Sequence, residues 1–374
     1  MTYSNSRTLF GLCLAGWAAM AAGPVLAVSH LAPVSDPATG SVIFIHPDGT
    51  SASHWTAARM WTVGADGLLN WDRIPRMAAY RGHMKTSLAA TSHGGATTHA
   101  YGVKVHPDSY GMDRDQPLTS LSGKPYSIMR EAMEAGLAVG VVNSGTIEEP
   151  GTGVFLASSE SRRNAEDIAR QVVRSGAPVI LSGGESRLLP AGVEGRHGPG
   201  RRGDGLNLIE EAKSNGYAVV YTRAELAALP EDATKVLGVF ARHHTFHDET
   251  EESLADRDRP LYVESAPTVA EMTSAALAIL ARRGERFLLV VEEEGSDNFA
   301  NVNNAAGALE AMRRADEAYG VARAFLEEHP DTLLVTAADS DAGGMEVIAV
   351  PPHAAERDLP ENLRNGSPLD GRGG

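Results

Sequence analysis

Seven short apolar runs divide this chain, and stretches with helical spacing lie between them. Residues 41–45 (SVIFI) form the first run, which stops abruptly at His46-Pro47-Asp48-Gly49-Thr50. Runs of the same kind recur at 137–142 (LAVGVV), 178–181 (PVIL), 217–221 (YAVVY), 235–240 (KVLGVF), 287–291 (FLLVV) and 332–336 (TLLVT). Runs this short, without polar alternation, fit strands covered on both faces, as in a parallel sheet. Helical patterns fill 126–135, 164–175, 207–215, 268–283 and 305–328. Strands alternating with helices predict an α/β fold. The expected architecture is a three-layer α/β/α sandwich with a largely parallel central sheet. No internal repeat breaks the pattern. A Gly- and Arg-rich stretch at 195–205 reads as a mobile surface loop.

The first 27 residues follow a different rule. Arg7 supplies a positive start, 9–22 is apolar and small, and Val25-Leu26-Ala27 resembles a small-residue cleavage site. This segment is expected to be a secretory signal, with the mature chain starting at Val28. The apolar run is short for a membrane-spanning helix. Cys13, the chain's one cysteine, lies inside it, so the mature chain would carry neither disulfides nor thiolate ligands. The expected location is exported, periplasmic or extracellular, with no membrane attachment after cleavage. Residues 28–374 read as a single catalytic domain. The chain ends in a Gly-rich stretch, 365–374, which suggests a missing C-terminal segment, with a frayed natural end as the alternative.

Composition narrows the partners. The 374 residues are 43% hydrophobic, enough for a full core, and the formal net charge is −15 with no basic run. Nucleic acid is therefore not an expected partner. Solubility accounts for most of this acidity, and cation binding for a smaller share.

Ligand sites of open α/β sheets lie beyond the carboxyl ends of the strands. Acidic residues stand at four such places. Asp48 follows the first run, Glu148-Glu149 follow the second, Glu292-Glu293-Glu294 and Asp297 follow FLLVV, and Asp339 and Asp341 follow TLLVT. Any one of them could be a cap or loop residue. Crowded together they would repel and shift their pKa values unless divalent cations compensate.

Between the first two runs lies Ala90 to Lys104 (ATSHGGATTHAYGVK). It places Ser92 where a helix should begin. A serine there can be an ordinary N-cap. It can also be a nucleophile, because unpaired N–H groups and the positive helix end favour phosphate or an alkoxide.

In their order along the chain these blocks resemble the alkaline phosphatase family. The matching blocks are Asp48-Gly49; Ser92 to Thr98, ending in Gly102-Val103-Lys104; Pro267 to Thr273; Val291 to Asp297; and Thr336 to Ser340. The resemblance implies an alkaline-phosphatase-like fold and metal-dependent hydrolysis of small phosphate monoesters through a phosphoserine at Ser92. It implies Arg162 as the arginine that grips phosphate, with Arg163 as a rival. It implies Asp48, Glu149, Thr152, Glu292, Asp297, Asn301, Asp339 and Ser340 at the metal-ligand positions, with Asp48 shared and Glu292 on magnesium. It suggests a homodimer.

The departures are specific. The family's histidine four residues after Asp297 is Asn301 here, and the one after Asp339 is Ser340. Imidazole suits zinc, whereas oxygen-rich sites suit Mg²⁺, Ca²⁺ or Mn²⁺. The cofactors implied are Mg²⁺ and Zn²⁺, with Ca²⁺ or Mn²⁺ as alternatives. His93, His99, His243, His244 and His247 are candidates for the missing nitrogen. Asn303 and Asn304 could offer carbonyl oxygens. Two further readings stay open: a weakly active or inactive descendant that binds a phosphate ligand, and a phosphodiesterase of the same superfamily.

Overall fold

The computed structural model describes residues 40–347. The expected signal segment and the Gly-rich end lie outside the described residues. The apolar runs become β1 (Val42–Pro47), β2 (Ala138–Thr146), β3 (Val179–Gly183), β4 (Ala218–Val220), β5 (Val236–Val239), β6 (Phe287–Glu293) and β7 (Leu333–Thr336). They form one seven-stranded sheet in the order β4-β5-β3-β2-β6-β1-β7. Every pairing is parallel.

The helices are α1 (Ala52–Thr62), α2 (Ser92–Tyr101), α3 (Ile128–Glu134), α4 (Pro150–Gly153), α5 (Ala165–Arg174), α6 (Leu208–Ser214), α7 (Arg223–Ala227), α8 (Glu251–Asp256), α9 (Val269–Arg282), α10 (Gly295–Asn301) and α11 (Ala305–Glu328). The two longest, α11 and α9, fall where the helical spacing placed them, as do α3, α5 and α6. α1, α4, α7, α8 and α10 had no clear apolar stripe to announce them. α4 is the sequence PGTG, a single turn that a proline at its first position can start.

Two cores lie on the two sides of the sheet, because successive strand residues point to opposite faces. Ile43, Ile45, Leu289 and Val291 pack against α1, α9 and α11 through Trp55, Met272 and Met312. Val139, Val141, Leu288 and Val290 pack against α2, α3, α5 and α6 through Ala96, Met129, Ile168 and Leu208. The interior strands β2, β3, β5 and β6 are buried on both faces, which explains why their sequences are runs rather than alternations; the edge strand β7 differs, with Leu333 and Val335 exposed. The α/β expectation therefore holds, with helices on each face.

The 195–205 stretch is anchored more firmly than a mobile loop would be. Arg202 is 1% exposed. Its guanidinium donates to the carbonyls of Glu166 and Arg187 at 2.9 and 2.8 Å and pairs with Asp204. Charge composition misled here, because the carbonyls that satisfy this arginine come from other parts of the chain.

Candidate active site

The β2-β6-β1-β7 half of the sheet, with β7 at its edge, brings all four acidic clusters to the carboxyl ends of the strands. Asp48 follows β1 directly and is fully buried. Glu149 stands before α4, Glu292 ends β6 from within, and Asp339 lies three residues past β7. Glu292 and Asp339 are also buried. Asp297 sits in the first turn of α10. Gly49 adopts φ +64° there. A side chain on it would strike Asp297 Oδ1 and Ala342, so the turn needs glycine.

Hydrogen bonds sort the three glutamates at and just past the end of β6. Glu293 accepts from Ser144 Oγ at 2.8 Å and Tyr262 Oη at 3.1 Å. Glu292 and Glu294 face the acidic cluster. Two sets of side chains each bring their potential ligand atoms within 4.8 Å of one another. One is His46, Glu292 and Asp339, and the other is Asp48, Glu294 and Asp297.

These carboxylates are electrostatically overcrowded. Burial, then the negative charge of Asp339, drives Asp48 well above the usual carboxylate range. Burial and the charges of Asp48 and Glu149 do the same to Glu292 and Glu294. Burial, with Asp48 and Glu149, lifts Asp297 to about 8. Burial lifts Asp339 to about 7, with Glu292 and Asp297 adding to it. Asp48 Oδ2, Glu292 Oε1, Glu294 Oε2 and Asp339 Oδ2 are buried and find no hydrogen-bond partner among the described residues. Buried polar atoms are normally satisfied, so four orphaned oxygens at one edge are a demand for cations. Divalent metals fit that demand and this donor set.

Helix α2 abuts the same cluster. Thr91, not Ser92, is its N-cap, and Thr91 Oγ1 accepts from the Gly94 amide at 3.2 Å. Ser92 is the first helical residue, and its hydroxyl makes no hydrogen bond among the described residues. The capping alternative for Ser92 is thereby removed. At Gly95, a Cβ would overlap the Asp339 carbonyl, so the helix meets the β7 loop backbone to backbone.

The remaining expected residues lie as follows. Arg162 Nη2 donates to Glu149 Oε2 at 3.0 Å, while 43% of the Arg162 side chain stays exposed. Burial opposes its charge, but Glu149, Glu294 and Asp48 outweigh burial and strengthen it. Arg163 is exposed and forms no ion pair among the described residues. Thr152 Oγ1 lies 2.8 Å from Asn143 Nδ2, which also bonds Glu292, so Thr152 reaches the cluster through one intermediary. Gly151 is the residue that touches Glu292, since a Cβ there would overlap Glu292 and His46. Asn301 Nδ2 donates to Asp297 Oδ2 at 2.8 Å. Ser340 Oγ lies 3.2 Å from Asp48 Oδ1 and 3.2 Å from Asp339 Oδ1.

The histidine candidates resolve differently. His243, His244 and His247 line a separate cleft of about 600 Å³, which touches the centre through Glu149. Glu148 faces that cleft and pairs with Arg187 at 2.8 Å. His93 lies 3.7 Å from Asp108. His99 packs edge-on against Phe44 and bonds Tyr80 Oη at 3.1 Å. Asn304 caps α11 by accepting from Gly307 N at 2.7 Å, and Asn303 takes φ +56° in the turn before it. Both therefore have local backbone roles.

Two residues beside the centre were given no ligand role by the sequence. His46 follows the first apolar run yet belongs to β1, and Glu294 is the third of three successive glutamates. The signal for His46 was its position before Asp48. Glu294 follows β6 in helical backbone, so no strand alternation marked it.

The alkaline phosphatase family profile matches residues 40–354. The chain belongs to the alkaline phosphatase family. Alkaline phosphatase of Escherichia coli is 25% identical over 358 residues, covering 84% of this chain and 73% of the relative. The solved alkaline phosphatase of Thermus thermophilus is 27% identical with a TM-score of 0.68, covering 82% of this chain and 62% of that one. A variant of TAB5 alkaline phosphatase, solved with Mg bound in its M3 site, has a TM-score of 0.65. It is 20% identical, so that likeness shows the fold alone. Family membership supports a metal-binding hydrolase acting on phosphate monoesters.

Proposed function

We propose that this chain hydrolyses phosphate monoesters through a phosphoserine at Ser92, with divalent metals held by the carboxylates of β1, β2, β6 and β7. The observation that carries the reading is the set of orphaned carboxylate oxygens beside the start of α2. Asp48, Glu149, Glu292, Asp297 and Asp339 are the residues to hold the ions, with Asn301, Ser340 and Thr152 as neutral oxygen donors at the rim. Bound Mg²⁺ or Zn²⁺ would supply charge neutralisation and Lewis-acid polarisation there, and Ca²⁺ or Mn²⁺ suits the oxygen-rich donors equally.

The chain's own groups account for positioning. Ser92 Oγ is free to attack phosphorus. The bond from Oγ to phosphorus forms as the bond to the leaving alcohol breaks, and the alcohol departs with a proton. Amides at the start of α2 and the Arg162 guanidinium hold the non-bridging oxygens. Water then releases inorganic phosphate and restores Ser92. A cleft of about 920 Å³, lined by Trp55, Trp71, Tyr80 and Leu88, borders Asp339 and Ser340 and gives an apolar alcohol room to lie. Phosphoryl transfer needs mainly charge neutralisation and positioning, which are what this edge offers.

The chain is read as one catalytic domain from residue 28, exported to the periplasm or outside the cell. Its signal would be residues 1–27. Among the described residues no helix is long and apolar enough to cross a membrane. Small phosphate monoesters are its expected partners, nucleic acid is not, and a homodimer is the expected assembly. One observation favours a second reading, binding without turnover. Asn301 and Ser340 already tie Asp297, Asp48 and Asp339 by hydrogen bonds where the family has histidines.

The test is release of p-nitrophenol from p-nitrophenyl phosphate. The protein is stripped with EDTA and resupplied with one metal at a time. Restored activity supports the enzyme reading. Folded, metal-loaded protein with no activity overturns it in favour of binding alone.

A further inference from the structure

We infer that His46 is a nitrogen ligand to a zinc-class ion held with Glu292 and Asp339, supplying the imidazole that the sequence lacks at Ser340. His46 and Glu292 stand side by side in the sheet, paired in register between β1 and β6. On the other side of Glu292, Asn143 of β2 is in register and donates to Glu292 Oε2. Glu292 Oε1 is left without a partner.

The tautomer of His46 follows from its contacts. Its Nε2 lies 3.0 Å from the Gly151 carbonyl oxygen, which can only accept. Nε2 therefore carries the proton, and the lone pair stands on Nδ1. Nδ1 is buried and has no hydrogen-bond partner among the described residues. Asp339 Oδ2 is in the same condition. His46 itself is fully buried and stacked on Phe44 at 5.3 Å, so the ring is fixed. An imidazole that donates one N–H to a carbonyl and offers its other nitrogen is the usual posture of a metal-binding histidine.

The two donor sets then differ in kind. His46, Glu292 and Asp339 offer nitrogen and oxygen, while Asp48, Glu294 and Asp297 offer oxygen alone. Imidazole suits zinc and carboxylates suit magnesium. Glu292, expected on magnesium from the resemblance, is thereby reassigned to the nitrogen-bearing ion.

This inference rests on the metal-dependent reading, but its test uses no substrate. The full chain is stripped and titrated with Zn²⁺ alone, then with Mg²⁺ alone, by calorimetry, as wild type and as His46→Gln. Losing even an outer partner of a ligand costs about 10- to 100-fold in metal affinity. One zinc equivalent should therefore weaken at least about tenfold in the variant, while magnesium binding should hold. Unchanged zinc affinity in a folded His46→Gln protein overturns the assignment. A second measurement needs no variant. Histidine-labelled wild type is followed by long-range ¹H–¹⁵N NMR as Zn²⁺ is added. One buried imidazole should keep its protonated nitrogen while the other nitrogen shifts. If no imidazole nitrogen moves at one equivalent, the proposal falls whether or not the variant folds. Zinc bound through His46 without phosphatase activity would sink the catalytic reading and leave this one standing.

Discussion

Arg162 Nη2 lies 3.0 Å from Glu149 Oε2, its one side-chain hydrogen bond among the described residues, and 43% of the side chain is exposed. A guanidinium held at one corner keeps its other donors available for a phosphate. Arg162→Ala is expected to raise KM for a phosphate monoester, and the inhibition constant of inorganic phosphate, together. A charged hydrogen bond is worth about 2 kcal/mol, or roughly 30-fold in binding. Steady-state kinetics with product inhibition check this. An unchanged phosphate inhibition constant would remove Arg162 from the site.

Metal-free protein should lose stability as pH rises. Asp339 and Asp297 are pushed up to about 7 and about 8 by burial and by neighbouring carboxylates. An unfolded aspartate titrates at about 3.9. A folded pKa above the unfolded one gives stability that is complete below about pH 4 and is lost as pH rises through about 7 and 8. EDTA-treated protein should therefore melt at lower temperature at about pH 8.5 than at about pH 5.5, and divalent cation should abolish the difference. A melting temperature that rises with pH in EDTA would contradict the electrostatic account.

Asn301 stands four residues after Asp297 on α10 and bonds its carboxylate at 2.8 Å. Residues so spaced share a helix face. Asn301→His should add an imidazole beside Asp297 and raise zinc affinity by about tenfold or more. Competition against a zinc chelator reads the change. No gain in a folded variant would show that Asp297 is not on an ion.

Gly95 meets the Asp339 carbonyl so closely that no Cβ fits. Gly95→Ala should cost about 1–3 kcal/mol from overpacking and weaken metal binding as Asp339 is displaced. Thr91→Ala, by contrast, removes only the cap, at about 1 kcal/mol. Thermal melts with and without metal distinguish the two, since only the first should reduce the stabilisation that metal confers.

The interior strands were legible in the sequence because they are buried on both faces and so read as unbroken runs; β7 reads the same way although Leu333 and Val335 are exposed at the sheet's edge. The acids were legible because parallel strands deliver their carboxyl ends to one edge. His46 was not, since membership of β1 depends on pairing with Glu292 almost 250 residues away, and no local pattern reveals that register. Glu294 could not be separated from Glu293 without knowing which face Tyr262 and Ser144 occupy. Thr152 reaches Glu292 only through Asn143, because the one-turn helix of α4 turns Gly151 toward Glu292. From sequence alone Ser92 could be the cap of α2, and Thr91 holds that place instead.

The central claim is that Ser92 carries the phosphoryl group. Metal-loaded wild type and Ser92→Ala are incubated with phosphate monoester, quenched in acid and analysed by peptide mass spectrometry. Wild type should show phosphate on the peptide containing Ser92, and the variant should show none and release no alcohol. Substrate turnover that persists in Ser92→Ala, with no phosphopeptide in wild type, would contradict it.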